Sequence, residues 1–447
     1  MAANHRAQGW AALALGLGLA MTQPAAAAAP SFPYVPTQLL MPSACFNASA
    51  CRGRDVAYVF APSGDGAAVQ FLALNYSSGV ADKAQPDTIT KELPFLKGAG
   101  PTTAFGAART GDGTVVVYAG ACDGAAGSVW SYDPGAGWTK RTTTGQQGGR
   151  GPYFLGATLA FLTTLAPTMD RPTIYTYGGM CATPQTDAAT WQAGGNYTKT
   201  MLSLAPDGGF AYGLRVASVA GPRVPFAGFT ATQLPASVAN VSGTVTQQAG
   251  FVFLGGHTQQ AFINMSTAAV WSLPEESWSY VSIQPPPPEE QQPGAELAVR
   301  QAHARAAENA NVYSRSGHTA VLSEDGRAVV VLGGWVGDVD TPAQPQLAVL
   351  EMRQAYSSWR WRIPRAQPAG PGIYGHGAAL LPGNVMMVYG GWQTQPPGAK
   401  AKRQAPAAPR FLNLTSMSWA GSYNNPEAGA SRGGGGSHDA PDAGGGA

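Results

Sequence analysis

Three histidines, four tyrosines and four cysteines are the residues of this chain whose types could do chemistry. His257, His318 and His376 each follow a glycine, with Tyr177, Tyr313, Tyr374 and Tyr389 as the nearby phenols. Imidazole nitrogens are what a copper ion would require as ligands. Against a copper site, no two histidines are adjacent, and Cys45, Cys51, Cys122 and Cys181 are an even set with partners among themselves. The acidic residues offer no better centre. Glu275–Glu276 and Glu289–Glu290 are chain neighbours, and neighbours seldom converge on one bond as paired glycosidase carboxylates must. No G-x-S-x-G elbow occurs, and the Gly-rich C-terminal stretch follows no strand and opens no helix, so it cradles no phosphate. The reading is therefore of no catalytic residue, no cofactor and no metal ligand. What stands out instead is Trp335 and Trp392, each directly after a Gly pair. An indole so placed points toward an opening, where it could stack on a sugar ring or anchor a protein, unless packing between elements buries it. His257 also directly follows a Gly pair and is expected to face the same opening.

These residues are carried by short strands. The stretch 313–363 shows four in a row: Ser316 to Leu322, the apolar run Ala328 to Leu332 closed by Gly333–Gly334, Leu347 to Met352, and Trp359 to Ile363. The turn Ser323-Glu324-Asp325-Gly326 between the first two has the acidic and Gly residues of a tight reversal. Such a sheet cannot bury both its faces alone and implies neighbours of the same kind. They are present: VVVYAG ends at Gly120, IYTYGG at Gly179, FVFLGG at Gly256, VVVLGG at Gly334 and MMVYGG at Gly391, with VAYVFAP near Ala61 as a degenerate first copy.

RSGH before the run, a Gly doublet after it, then an apolar strand and a Trp strand resemble the kelch repeat, whose period is roughly 50 residues. The resemblance spans about 60 to 423 and is similar to fungal kelch and galactose-oxidase-like propellers that are secreted or held at a membrane. It implies an all-β, six-bladed propeller, with seven blades as the alternative. It also implies an alternative function as a copper oxidase, whose relatives use His and Tyr ligands and a Tyr crosslinked to Cys. His318 and His376 occupy matching first-strand positions, which the repeat itself explains. The first blade is expected at Thr37–Met41, Val56–Phe60, Val69–Leu74 and Thr90–Phe95, or else 37–41 clasps the last blade. Cys122 and Cys181 each follow a repeat's Gly pair by two residues, so they fall at equivalent places in adjacent blades. The pairing Cys45–Cys51 with Cys122–Cys181 is one of three arithmetically open.

Sorting the loops by propeller connectivity gives one face of tight turns (110–113, 134–137, 206–209, 274–277 and 381–384), extended by 164–172 and 236–248. The opposite face carries 180–199, 284–312, 335–346 and 392–409. Long loops on a rigid scaffold are where binding residues collect. Lys400, Lys402, Arg403 and Arg410 make a local basic patch in one of them, and the Pro-rich 284–294 reads as extended polyproline. The plainer reading of both segments is a variable, solvated loop with no ligand.

Charged residues are 12% of the 447, with a net charge of +2, against roughly 25% in an average domain. Nothing in that balance favours nucleic acid. Residues 1–29 have the basic start, apolar run and small-residue end of a secretory signal. Six sequons, at Asn47, Asn75, Asn196, Asn240, Asn264 and Asn413, fit a glycosylated, disulfide-bonded, secreted or cell-surface chain. Residues 30–425 form the propeller, and 426–447 are too apolar-poor to fold. That tail reads as disordered or as a spacer toward a membrane anchor. The functional expectation is a monomeric, non-enzymatic propeller holding an unknown protein or glycan partner on its long-loop face, or else a purely structural module.

Overall fold

The computed structural model describes residues 34–42, 55–64, 68–100, 102–124, 127–145, 150–162, 172–183, 190–208, 211–217, 221–241, 243–287, 311–352, 358–395, 403–404 and 408–428. The expected signal, Cys45, Cys51, Asn47, most of the Pro-rich 284–312 link, Lys400, Lys402 and the tail beyond Ala428 lie outside these residues.

The chain forms six antiparallel four-stranded meanders. Blade 1 is Gln38–Leu40, Val56–Pro62, Val69–Asn75 and Asp87–Thr90. Blade 2 is Thr103–Arg109, Val115–Ala121, Ser128–Asp133 and Gly137–Arg141. Blade 3 is Ala157–Phe161, Thr173–Tyr177, Met201–Asp207 and Ala211–Val216, to which Thr143–Thr144 adds a parallel outer pairing. Blade 4 is Thr230–Gln233, Thr244–Leu254, Thr267–Leu273 and Ser277–Ser282. Blade 5 is Thr319–Leu322, Ala328–Leu332, Leu347–Glu351 and Arg360–Arg362. Blade 6 is Gly377–Leu381, Val385–Tyr389, Arg410–Asn413 and Ser418–Ala420. The innermost strands neighbour one another around a central channel, and the last touches the first. The molecule is a six-bladed β-propeller.

The apolar runs exist because both faces of every blade are buried. In the second strand of blade 5, Val329 and Val331 pack on blade 4 while Val330 and Leu332 pack on blade 6. The same alternation sends Val115 and Val117 toward blade 1, and Val116 and Tyr118 toward blade 3. Six hydrophobic clusters fill the six blade–blade interfaces, the last joining Leu74 and Tyr76 of blade 1 to Met387 and Phe411 of blade 6. Among the described residues no strand is exchanged at closure. Gln38–Leu40 pairs with Val56–Pro62 inside blade 1, so it does not clasp blade 6. Instead Tyr423 bridges to Val80, and Asn425 Nδ2 donates to the Ser77 carbonyl at 3.0 Å.

Two strand boundaries differ from expectation for a physical reason. The fourth strand of blade 1 ends at Thr90, because Leu93 and Phe95 turn into the blade 1–blade 2 core. The first strand of blade 5, expected from Ser316, starts three residues later at Thr319, and the chain enters blades 4 and 6 in the same way. Gly228, Gly317 and Gly375 take φ of +68°, +65° and +59°, which directs their amides around the channel instead of into the blade. Gly228 N donates to Leu155 O, Gly317 N to Gly228 O, Gly375 N to Gly317 O and Thr37 N to Gly375 O, all at 2.7 to 2.9 Å. This backbone chain links five blades across one rim of the channel.

Candidate functional site

The Gly pairs fix the geometry above that rim. Gly178–Gly179, Gly255–Gly256, Gly333–Gly334 and Gly390–Gly391 all have positive φ, a conformation that side chains rarely tolerate. Space is also absent: a Cβ on Gly333 would lie 2.3 Å from the Ile373 carbonyl, and one on Gly255 2.7 Å from the Arg315 carbonyl. Each pair turns the chain out of the second strand onto the next blade. Three of the links that follow build accessory sheets on this one face: Met180–Cys181 with Asn196–Tyr197, Trp335–Val336 with Asp338–Pro342, and Ile373–Tyr374 with Trp392–Gln393 and Arg403–Gln404.

Beneath them an aromatic plug closes the channel. Tyr34, Trp335 and Tyr374 are its buried centre, with Trp191, Phe262 and Trp392 packed around them. The Tyr34 and Tyr374 rings meet edge to face at 5.0 Å, and Trp335 Nε1 donates to Tyr34 Oη at 3.4 Å. Trp392 Nε1 donates to the Val35 carbonyl at 3.1 Å. Burial pushes the Tyr34 phenol up to about 12, so it stays protonated. A cavity of about 290 Å³ lies below, lined by inner-strand residues such as Gln38, Phe105, Thr230 and Thr319. Toward the tight-turn face the channel widens into a cavity of about 840 Å³ lined largely by aliphatic side chains, among them Leu39, Leu234, Leu322 and Leu380.

The expectation for His257 and Trp335 is corrected: both are 0% exposed. His257 lies in a ring cage made by Trp191, Tyr197, Phe262 and Trp335, with centroids 5.3 to 5.9 Å away. Its Nδ1 pairs with Ser316 Oγ at 2.7 Å and its Nε2 faces Met180 Sδ at 3.4 Å. Desolvation lowers its pKa to about 3, so it is neutral near pH 7. Sequence alone placed both after a Gly pair, but the accessory sheets fold back over them. Trp392 and Trp191 are only partly buried. Arg403 lies in the third accessory sheet.

His318 and His376 do repeat one role. His318 Nε2 pairs with Thr230 Oγ1 at 3.3 Å, and His376 Nε2 with Thr319 Oγ1 at 2.7 Å, so each ties its first strand to that of the preceding blade. Burial holds both well below the usual imidazole range. The three imidazoles are thus each held by separate partners. Among the described residues no three His, Cys, Asp or Glu side chains converge as a metal site would require. Cys122 and Cys181 form a buried disulfide with Cα atoms 5.7 Å apart, linking blades 2 and 3 on this same face.

Sequence reasoning gave Arg315 no role of its own. It is fully buried, and its guanidinium donates to the carbonyls of Tyr313, Gly333 and Gln344 at 3.0 to 3.1 Å. Desolvation lowers its pKa to about 9, which leaves it charged at neutral pH. It pins the Gly pair of blade 5 to the loop that carries Trp335, and the only trace of this in sequence is the first letter of RSGH.

No protein-family model and no curated protein sequence matches this chain. Solved structures do resemble it in fold. A fungal alcohol oxidase of the AA5 family, in complex with copper, is 14% identical over 83% of this chain and 73% of that one, with a TM-score of 0.41. The fucose-recognising lectin of Aleuria aurantia, described as a six-bladed propeller, is 11% identical over 89% and 97%, with a TM-score of 0.43. A protein of unknown function from Dyadobacter fermentans is 10% identical over 83% and 96%, at 0.38.

Proposed function

We propose that this chain is an extracellular or cell-surface propeller of the kelch type that binds a glycan or protein partner, without catalysis, on the face carrying the accessory sheets. The observation that carries the reading is that three links of different blades build small sheets on one face, packed over a buried aromatic plug. A preorganised platform of this kind loses little entropy on binding. Its outward residues are amides, hydroxyls and carboxylates: Gln259, Gln260, Asp338, Asp340 and Thr341 are exposed there. Trp191 and Trp392 add partly exposed indoles. Hydroxyl-rich ligands are recognised by such polar groups around an aromatic face, so of the two partner classes a glycan fits better. The buried disulfide supports an oxidising compartment.

The test is binding of the secreted protein to a glycan array, followed by titration of the best hit. Trp392→Ala should weaken binding by about tenfold, the equivalent of one stacked ring. Absence of glycan binding, together with no partner in extracellular pull-downs, removes the reading. Stoichiometric copper with hydrogen peroxide produced from simple alcohols overturns it in favour of an oxidase.

A further inference from the structure

The described residues include four exposed large hydrophobics, and all belong to blade 4 or the segment leading into it: Val224, Val238, Val245 and Tyr280. Two of them share one feature. Ser237–Val241 pairs with the start of the long strand Thr244–Leu254, making a hairpin that projects from the tight-turn face. Val238 is 63% and Val245 43% exposed. The register sets Val238 opposite Gln247 and Asn240 opposite Val245. Directly opposed residues share a face, and so do residues two apart. Asn240 therefore lies on the same hairpin face as both valines, within about 5 Å of Val245 across the strands and about 7 Å of Val238 along its own. Gln247, on that face too, lines the wide end of the channel, so this face looks toward the channel mouth.

Asn240 opens the sequon Asn-Val-Ser. Its side chain is exposed, and its Oδ1 accepts from Gly243 N at 3.0 Å. That hydrogen bond engages the oxygen and not the amide nitrogen, the atom that would carry a sugar.

We infer that Asn240 carries an N-linked glycan whose first sugars lie on Val238 and Val245 and cover the mouth of the channel. The inference rests on the extracellular reading above. In the coupling step Nδ2 loses a proton and bonds the anomeric carbon of an oligosaccharide, whose bond to a lipid diphosphate carrier breaks and leaves the diphosphate with the electron pair. Sugar rings present apolar C–H faces, and two aliphatic side chains flanking the attachment point give them a surface to rest on. The glycan accounts for β-branched residues left open on a projecting hairpin, a feature that otherwise invites association.

The experiment is site-resolved glycopeptide mapping of the secreted chain, with dye binding of Asn240→Gln and Ser242→Ala. Asn240 is expected to be occupied. Either variant should bind an apolar dye at least about twofold more and self-associate more readily. Adding Val238→Thr and Val245→Thr to Asn240→Gln should return dye binding to the parent level. If other sequons are occupied and Asn240 is bare, this inference fails while the extracellular reading stands. If no sequon is occupied in a eukaryotic secretory host, both fail. Occupied Asn240 with unchanged dye binding on its removal refutes the packing of sugar on the valines.

Discussion

The two ends of the channel are made by the same six inner strands, yet one is closed and the other is wide. At the closed end, Gly residues turn the backbone inward, and the N-terminal segment and four links converge as rings: Tyr34, Trp191, Phe262, Trp335 and Tyr374. At the wide end, tight turns carry the chain away and leave aliphatic side chains such as Leu234 and Leu322 half-covered around a cavity of about 840 Å³. The difference teaches where rigidity has been placed. The plug fixes the long-loop face as a platform, whereas the opposite face needs only to end its strands.

The strongest way to break this contrast is to delete a ring on one side and an aliphatic chain on the other. Trp335→Ala should cost about 4 kcal/mol, the range for truncating a large buried aromatic, and should expose Tyr34 and loosen the N-terminal segment to proteolysis. Leu322→Ala, half-buried at the wide end, should cost about 1–2 kcal/mol because less area returns to water. Chemical denaturation of both measures the gap, and equal costs would mean that the plug is not the rigid end. The Cys122–Cys181 bond also sits on the platform side and closes a separation of 59 residues. Replacing both by Ser should cost about 4 kcal/mol in the chain-entropy account. Non-reducing thermal melts should show the loss, and DTT should abolish the difference between parent and variant.

The fold was legible because its signals are local. The apolar runs and Gly pairs recur with the blades, and the turns after Thr110 and Ser323 have the residues reversals need, so blade count, strand order and the Cys122–Cys181 pair could all be read. The site was less so. Tyr34 meets Trp335 across 301 positions, and no periodicity joins a residue before the first blade to a link in the fifth. His257 and Trp335 were expected at an opening because their local sequence shows the turn but not the sheets folding over it. Blade 2 is instructive: Gly120 is not left-handed as the later pairs are, since Ala119 takes the first position and the strand continues to Ala121.

Smaller perturbations sharpen the contrast. Gly333→Ala places a Cβ against the Ile373 carbonyl at positive φ and should cost about 3 kcal/mol. Gly137→Ala, also at positive φ but in a tight turn with open space, should cost only about 1 kcal/mol of backbone strain; the two differ by packing alone. Acid gives a second separation. His257 and His376 are lowered to about 3 by burial, and His318 is lowered well below its ordinary 6.5. The unfolded chain then binds protons that the folded chain refuses, so stability falls as pH drops from about 6.5 toward 3, by up to about 1.4 kcal/mol per pH unit per histidine. His257→Asn should remove about a third of that slope in urea unfolding measured at several pH values, and an unchanged slope would mean that His257 is not buried neutral.

The smallest effect belongs to the tight face, where blades 2 and 5 reuse one turn. In blade 5, Ser323 Oγ donates to Asp325 Oδ1 at 2.6 Å and Arg327 N donates to the same oxygen at 3.0 Å, while Gly326 takes positive φ. In blade 2, Thr110 Oγ1 and Thr114 N donate to Asp112 Oδ1, and Gly113 takes positive φ. The carboxylate thus occupies the inside of a one-step reversal and satisfies donors that no strand partner reaches. Both aspartates are solvent-accessible, so Asp112→Ala and Asp325→Ala should each cost about 0.5–1 kcal/mol. They are far apart and share no partner, so the double variant should show the sum. The hydrogen bonds from Ser323 and Arg327 lower the Asp325 pKa from 3.8. Its contribution is therefore present above the ordinary carboxylate range and is lost only as pH falls through its lowered folded value, below most of the histidine window. Titrating Asp325→Ala against the parent should leave the slope between pH 6.5 and 5 untouched; a change there would mean that the two ends of the channel are coupled.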